Sequence, residues 1–353
     1  MATEVTQKPP PEADGGAQLP LWRRRAPLIA AVVYVLVTVV LVAARGKILL
    51  SRDVVLLWLM GGLLILSVNN PGRWVRGMIF DWLPFVLFLF AYDYARSIAD
   101  NTGWTPHLAP QLRVERFLFG TPLPTTGLQE HFYHPPAAAW YDYTAWGVYL
   151  THFFGTLTLA VILWRFAYPL FKRWRTLVIG LSTAGFATYV LYPAVPPWLA
   201  SDTGKIGHVD KIKDQMFAHT GTKAITSAVE NNWVDKTAAM PSLHSAFPLM
   251  MMLLFWHRGW KWRIPFGLYA LAMGLALVYT GEHFVVDIFA GWAYALIVYF
   301  LASRFWRWRE RRAAERTHRE EVDRRAASVR APEEPAPAGG VSYSAGGSAG
   351  PPG

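Results

Sequence analysis

Two short segments carry the residue types that perform proton and phosphoryl chemistry. Met240-Pro241-Ser242-Leu243-His244-Ser245-Ala246 opens one apolar run, and Gly281-Glu282-His283-Phe284-Val285-Val286-Asp287 opens another. Pro-Ser before an apolar run is a helix start: Ser242 is placed to cap it, and the free N–H groups and dipole of such an end favour a phosphate. His244 then falls in the first turn. In the second segment His283 and Asp287 stand four apart, a spacing that puts both on one helical face, where the carboxylate would accept the imidazole N–H and fix its tautomer. The bland alternatives are a capping serine beside an interfacial histidine, and a buried polar pair joining two helices. Ionisable groups in apolar segments are costly and mark function by default, so the expectation is a phosphoryl-transfer site built from Ser242, His244, His283 and Asp287. His152, inside a further apolar run, is either a participant or a hydrogen-bonded packing residue. His131 and His134 flank Tyr133 at a spacing a metal accepts, but no third ligand lies near in sequence, and neither a metal nor a cofactor is expected.

These segments must be positioned by membrane helices. Apolar runs predict spans at about 27–44, 54–68, 79–95, 144–164, 176–193, 243–257, 264–280 and 284–303, an all-α polytopic transmembrane bundle of about six to eight spans. The expected division is a disordered tail over 1–26, a transmembrane catalytic domain over 27–303, and a basic juxtamembrane segment with a disordered end over 304–353. Basic residues follow the second span (Arg73, Arg76), the fourth (Arg165, Lys172, Arg173, Arg175) and the sixth (Arg258, Lys261, Arg263), while Gly281-Glu282 carries no positive charge. By the bias of Lys and Arg toward the cytoplasm, both termini lie inside and the histidines face outward across a plasma membrane. Arg45, Lys47 and Arg52 after the first span run against that scheme. Two long connections, about 96–143 and 194–242, would then cover the outer face.

Composition supports the membrane reading and removes other classes. Of 353 residues 53% are hydrophobic and only 16% charged, well under the roughly 25% charged of soluble domains. With no cysteine, thiolate metal sites, iron–sulfur clusters and cysteine nucleophiles are excluded. The net charge of +10 owes half to ten Arg against five acidic residues between Arg304 and Arg330. That tract directly follows an apolar span, so it reads as an anchor facing anionic lipid; no nucleic-acid partner is expected.

Pro-Ser-x-His followed about forty residues later by Gly-x-His-x-x-x-Asp resembles the second and third signatures of the type 2 phosphatidic acid phosphatase superfamily. The wording Met-Pro-Ser-Leu-His-Ser-Ala with His-Phe-Val-Val-Asp is similar to the branch containing fungal inositol phosphorylceramide synthase and bacterial relatives. Asp81-Trp82-Leu83-Pro84, Ala91-Tyr92-Asp93-Tyr94-Ala95-Arg96 and Leu118-Phe119-Gly120-Thr121-Pro122 have the look of that branch. The resemblance covers roughly residues 80 to 300 and implies a helical membrane fold and a two-step displacement. On it, His283 attacks phosphorus to form a phosphohistidine, Asp287 orients it, and His244 protonates the departing alcohol. His244 then deprotonates the acceptor, a lipid alcohol for a transferase or water for a hydrolase.

The chain departs from the simple phosphatases of that superfamily. It lacks their first signature of Lys, six residues and Arg-Pro, and Leu277 stands where they carry an Arg six residues before the third-motif histidine. The synthase branch lacks the same signature, which favours head-group transfer over hydrolysis. A replacement cation is needed: Arg96, three residues after Asp93, is the first candidate, as a phosphate contact or as an interfacial anchor, with Arg113 and Arg116 behind it. Asp93, Arg96, Ser242 and His152 are therefore the expected substrate-binding set. A non-enzymatic transporter or scaffold is the competing reading, but a proton path needs ionisable groups at several depths, and here they cluster at one surface.

Overall fold

The computed structural model describes residues 29–30, 32–41, 58, 60–65, 71–99, 105–220 and 237–330; within these, the side chains of Pro71, Arg73, 93–99 and 327–330 lie outside the description. The expected spans at 27–44 and 54–68 fall largely outside the described residues, apart from an apolar helix over Val32–Leu41 and helical residues at 60–65. The expected tails, 1–26 and beyond Arg330, lie outside them.

Two compact units are distinguished, Met1–Ala302 and Ser303–Gly353. Among its described residues the first is built of helices, joined by turns and two isolated backbone bridges. α1 (Pro71–Gly77) continues through a π-helical turn (Met78–Trp82) into α2 (Leu83–Ala99). Then come α3 (Ala109–Phe119), α4 (Pro124–Phe132), α5 (Trp140–Phe166), α6 (Tyr168–Leu191), α7 (Pro197–Asp202), α8 (Ile212–His219), α9 (Leu243–Leu254), α10 (Trp260–Tyr279) and α11 (Val285–Arg330).

Among the described residues four stretches, Trp74–Tyr92, Trp140–Phe166, Trp260–Tyr279 and Val285–Ala326, are long and apolar enough to cross a membrane. On α10, Met273 and Leu277 are fully buried while Leu271 and Leu275 are 58% and 62% exposed. A helix apolar on its buried and exposed faces alike belongs in lipid. With the apolar Val32–Leu41 and α9, the chain is a multi-pass membrane protein.

From residue 79 onward a helix covers each expected span with shifted ends, though α6 and the short α9 are not among the four long apolar stretches. α6 begins eight residues before 176, because Tyr168-Pro169 places a proline in the first turn, where its missing N–H is no loss. α11 runs 27 residues past 303, since the Arg-, Glu- and Ala-rich stretch beyond is itself helix-forming. Within the second unit Arg325 pairs with Glu321 at 2.6 Å, one turn apart.

The described parts of the two long connections are not extended loops. They fold into α3 and α4, and into α7 and α8, three of which start on a proline at the first or second position. They meet in a small backbone lattice. His107 N–H donates to Pro193 C=O at 2.8 Å, Val195 N–H to His107 C=O at 3.0 Å, and Ala194 N–H to Thr237 C=O at 2.6 Å. Both connections are thereby tied to the end of α6.

The end of the bundle bearing the α5–α6 and α9–α10 turns has its own polar centre. Asp81, in the π-helical turn and 8% exposed, receives Tyr168 Oη at 3.0 Å, Arg175 Nη1 at 3.1 Å and Trp164 Nε1 at 3.1 Å. Arg258, Lys261 and Arg263 flank Gly259, whose φ of +96° turns α9 back into α10.

Candidate active site

α9 starts as the Pro-Ser pair dictates. Ser242 Oγ accepts the Ser245 N–H at 3.4 Å, so the hydroxyl is used as the helix cap. Ser242 is fully buried, and its own N–H donates to the Asp287 carbonyl at 3.0 Å. Ser245 Oγ bonds the Ser242 carbonyl at 3.0 Å. This close approach of α9 to α11 depends on Gly291, where a Cβ would come within 2.2 Å of the Ser242 carbonyl oxygen. The two motifs are thus joined through backbone before any side-chain chemistry is considered.

His283 is not inside α11, as its four-residue spacing from Asp287 suggested, but precedes it by two residues. Gly281 takes φ +80°, and the N–H groups of Glu282 and His283 both return to the Leu277 carbonyl at 3.0 and 3.3 Å. The turn holds His283 off the helical face, so its Nδ1 lies 3.8 Å from Asp287 Oδ2, beyond a hydrogen bond. His283 Nδ1 is buried without a hydrogen-bond partner. Asp287, fully buried, instead accepts Phe284 N–H on Oδ2 at 2.9 Å and Gln111 Nε2 on Oδ1 at 3.1 Å.

The two motif histidines come together: His283 Nε2 is 3.5 Å from His244 Nδ1. His152 joins them from α5, its ring centroid 4.0 Å from that of His244, and Tyr149 one turn earlier stacks on His244 at 5.6 Å with 21° between planes. Three imidazoles and an aspartate therefore share one locus. Such a cluster can exchange protons between neighbours and present one unprotonated ring nitrogen to an electrophile.

α3 supplies residues not anticipated from sequence. Gln111 and Glu115, one turn apart and 2% and 0% exposed, face α11. Besides the Gln111 bond to Asp287, Glu115 takes the N–H groups of Val285 and Val286 at 3.0 and 3.1 Å, so its carboxylate fills the amide end of α11. Burial pushes the Glu115 carboxyl above its ordinary value, the two N–H bonds pull it down, and the Asp287 charge pushes it up again; the net shift is upward. The available signal was two polar residues at i and i+4 on an otherwise amphipathic segment, which a search for apolar spans passes over.

Other expected residues fall elsewhere. Asp93 and Arg96 lie on α2, Arg96 in its last turn, and their side chains are outside the described residues. Arg113 and Arg116 are exposed, on α3 but away from the face bearing Gln111 and Glu115. Among the described residues no group of three or more His, Asp or Glu side chains has the geometry to hold a metal ion. Lys213 on α8, also unanticipated, is buried with Nζ 3.3 Å from Glu282 Oε2.

The model of the PAP2 superfamily matches residues 113–301, which include both histidine motifs, and the chain belongs to that superfamily. It is similar to a phosphoinositol dihydroceramide synthase of Bacteroides thetaiotaomicron, 23% identical over 290 residues that span 76% of this chain and 88% of the relative. That likeness supports the branch resembling inositol phosphorylceramide synthase. No solved structure gives a significant match. The protein is accordingly a membrane enzyme of the lipid phosphotransferase and phosphatase type.

Proposed function

We propose that this enzyme transfers a phosphorylated head group from a phospholipid donor to a lipid alcohol, through a phosphohistidine on His283. The observation that carries the reading is the 3.5 Å approach of His283 Nε2 to His244 Nδ1, with Asp287 behind the far ring nitrogen of His283 at 3.8 Å. His283 Nε2 attacks phosphorus as the bond to the donor's lipid alcohol breaks, and His244 delivers a proton to the departing oxygen. The acceptor hydroxyl gives its proton to His244 as its oxygen displaces His283 from phosphorus. Asp287, held by Gln111 and the Phe284 N–H, stabilises the cationic imidazole. His152 and Tyr149 set the ring plane of His244, and Ser242 fixes the start of α9 that carries it.

The likeness to a phosphoinositol dihydroceramide synthase supports a sphingoid acceptor. The missing first phosphatase signature supports transfer over hydrolysis by water. We place the site at the extracytoplasmic face of the plasma membrane with both termini cytoplasmic. In support, Arg165, Lys172, Arg173 and Arg175 at the α5–α6 turn, and Arg258, Lys261 and Arg263 at the α9–α10 turn, lie at the bundle end away from the histidines. The domain division at 26 and 303 and the lipid-facing role of the Arg304–Arg330 tract belong to the same proposal.

The test is a mass-spectrometric product assay on purified protein in liposomes, with phosphatidylinositol as donor and ceramide or diacylglycerol as acceptor. The expected result is a phosphoinositol-bearing acceptor lipid that disappears in His283→Ala. Free inositol phosphate with no acceptor product would make the enzyme a hydrolase. Undiminished product from His283→Ala would sink the phosphohistidine.

A further inference from the structure

The proposed transfer needs a cation to bind the phosphodiester oxygens of the donor, and the sequence lacks the first signature that supplies one in the simple phosphatases. We infer that Lys213 is that cation. Among the described residues it is the one buried lysine or arginine, at 9% exposure, and an ammonium is not withdrawn from water without compensation. Its Nζ sits 3.3 Å from Glu282 Oε2, with side-chain exposures of 11% and 13%, and Glu282 is the residue immediately before His283. The same ammonium stands 5.8 Å from the centroid of the Tyr149 ring, the ring that stacks on His244. Lys213 is thus anchored to the chain neighbour of one histidine and the ring neighbour of the other.

The pair also has the character of a partner in waiting. Glu282 Oε1 is buried with no hydrogen-bond partner, and a buried ion pair left incompletely satisfied is a poor source of stability. An anionic phosphodiester entering beside His283 competes with Glu282 for the ammonium, which a four-carbon stem lets move toward it. The neighbouring Lys211 is placed otherwise, with its Nζ 3.3 Å from the centroid of the Trp198 ring, and Arg113 and Arg116 are exposed on α3. Lys213 is the cation that burial, charge and location converge on.

This inference rests on the reading of the site as a phosphoryl-transfer centre, and the test separates the two. The probe is inorganic phosphate, or vanadate as its transition-state-like analogue, with the thermal unfolding midpoint of the full chain in detergent as readout. Phosphate is expected to raise the midpoint of the wild type and of His283→Ala alike. The rise should vanish in Lys213→Gln and in the double variant Lys213→Met/Glu282→Gln, which leaves no unpaired buried carboxylate, and it should survive in Lys213→Arg. In turnover, the double variant should raise KM for the phospholipid donor tenfold or more with kcat changed less, a split a purely structural lysine would not give. A wild-type phosphate response in both charge-removing variants overturns the inference, as does a response abolished by Arg96→Ala but kept in the double variant. The absence of a response in wild type overturns the underlying reading of the site, and the inference with it.

Discussion

Two buried aspartates hold this bundle together at opposite ends, and their surroundings differ in kind. Asp81 receives three donors within hydrogen-bond reach, one of them the Arg175 guanidinium at 3.1 Å. Its charge is matched by a cation and both oxygens are used, which describes a staple between the π-helical turn and the α5–α6 turn. Asp287 receives two neutral donors, Gln111 Nε2 and the Phe284 N–H, and its imidazole neighbour stands off at 3.8 Å with a partnerless Nδ1. A carboxylate held by neutral groups keeps its charge available to an imidazole that, on the mechanism proposed above, becomes cationic during reaction. The complete network is the structural one, and the incomplete network is where chemistry is expected.

The strongest way to break this comparison is to exchange the phenotypes. His283→Ala, His244→Ala and Asp287→Asn should each lower turnover by roughly a thousandfold or more while leaving detergent stability close to wild type. Asp81→Asn should do the reverse, preserving the rate per folded molecule. Asp81→Ala strands the Arg175 guanidinium and should cost on the order of 3 kcal/mol, read as a lowered unfolding midpoint. A catalytic collapse in Asp81→Asn without unfolding would show that the two ends are not functionally separate.

Next in size is Gly291→Ala. With a Cβ 2.2 Å from the Ser242 carbonyl oxygen, α9 and α11 must part, at about 1–3 kcal/mol. Since the same contact aligns the Ser242 N–H with the Asp287 carbonyl, activity should fall further than stability. Equal losses in both would reduce this junction to packing alone.

Gln111→Leu sharpens the comparison from the side of Asp287. It removes the donor on the buried Asp287 Oδ1 together with a buried acceptor, Gln111 Oε1, that has no partner, so the two changes partly offset and the stability loss should stay at about 1 kcal/mol. The rate should drop about tenfold, as for one hydrogen bond to a charged group. An unchanged rate would show that the Phe284 N–H alone holds the carboxylate.

How much of this was legible beforehand follows from where each signal lives. The pairing of His244 with His283 was readable because each stands at a helix start announced by Pro-Ser or Gly-Glu and by an apolar run. His152 was readable because an imidazole inside an apolar run is costly. The 3.8 Å gap to Asp287 was not, because it comes from a turn that returns two N–H groups to Leu277 and delays the helix to Val285. Gln111, Glu115 and Lys213 were invisible for another reason. They lie on short helices folded from connections with no apolar run, and their burial exists only once α3 and α8 have docked on the bundle.

Glu115 gives the subtlest test, because its charge faces both an amide end that favours ionisation and an Asp287 that opposes it. Burial raises the carboxyl above its ordinary value near 4.5. The folded protein therefore holds this proton more tightly than the unfolded chain. Between the ordinary value and the raised one the native state binds more protons, so this group's contribution to stability increases as pH falls through that window and is lost as pH rises above it. Glu115→Gln keeps one acceptor for the Val285 and Val286 amides and carries no proton equilibrium, so its unfolding midpoint should vary less with pH over the same window. Identical pH slopes in variant and wild type would mean that Glu115 titrates alike folded and unfolded. The amide end of α11 would then compensate burial in full, and the contrast between a charge-matched Asp81 centre and a charge-rich Asp287 centre would narrow.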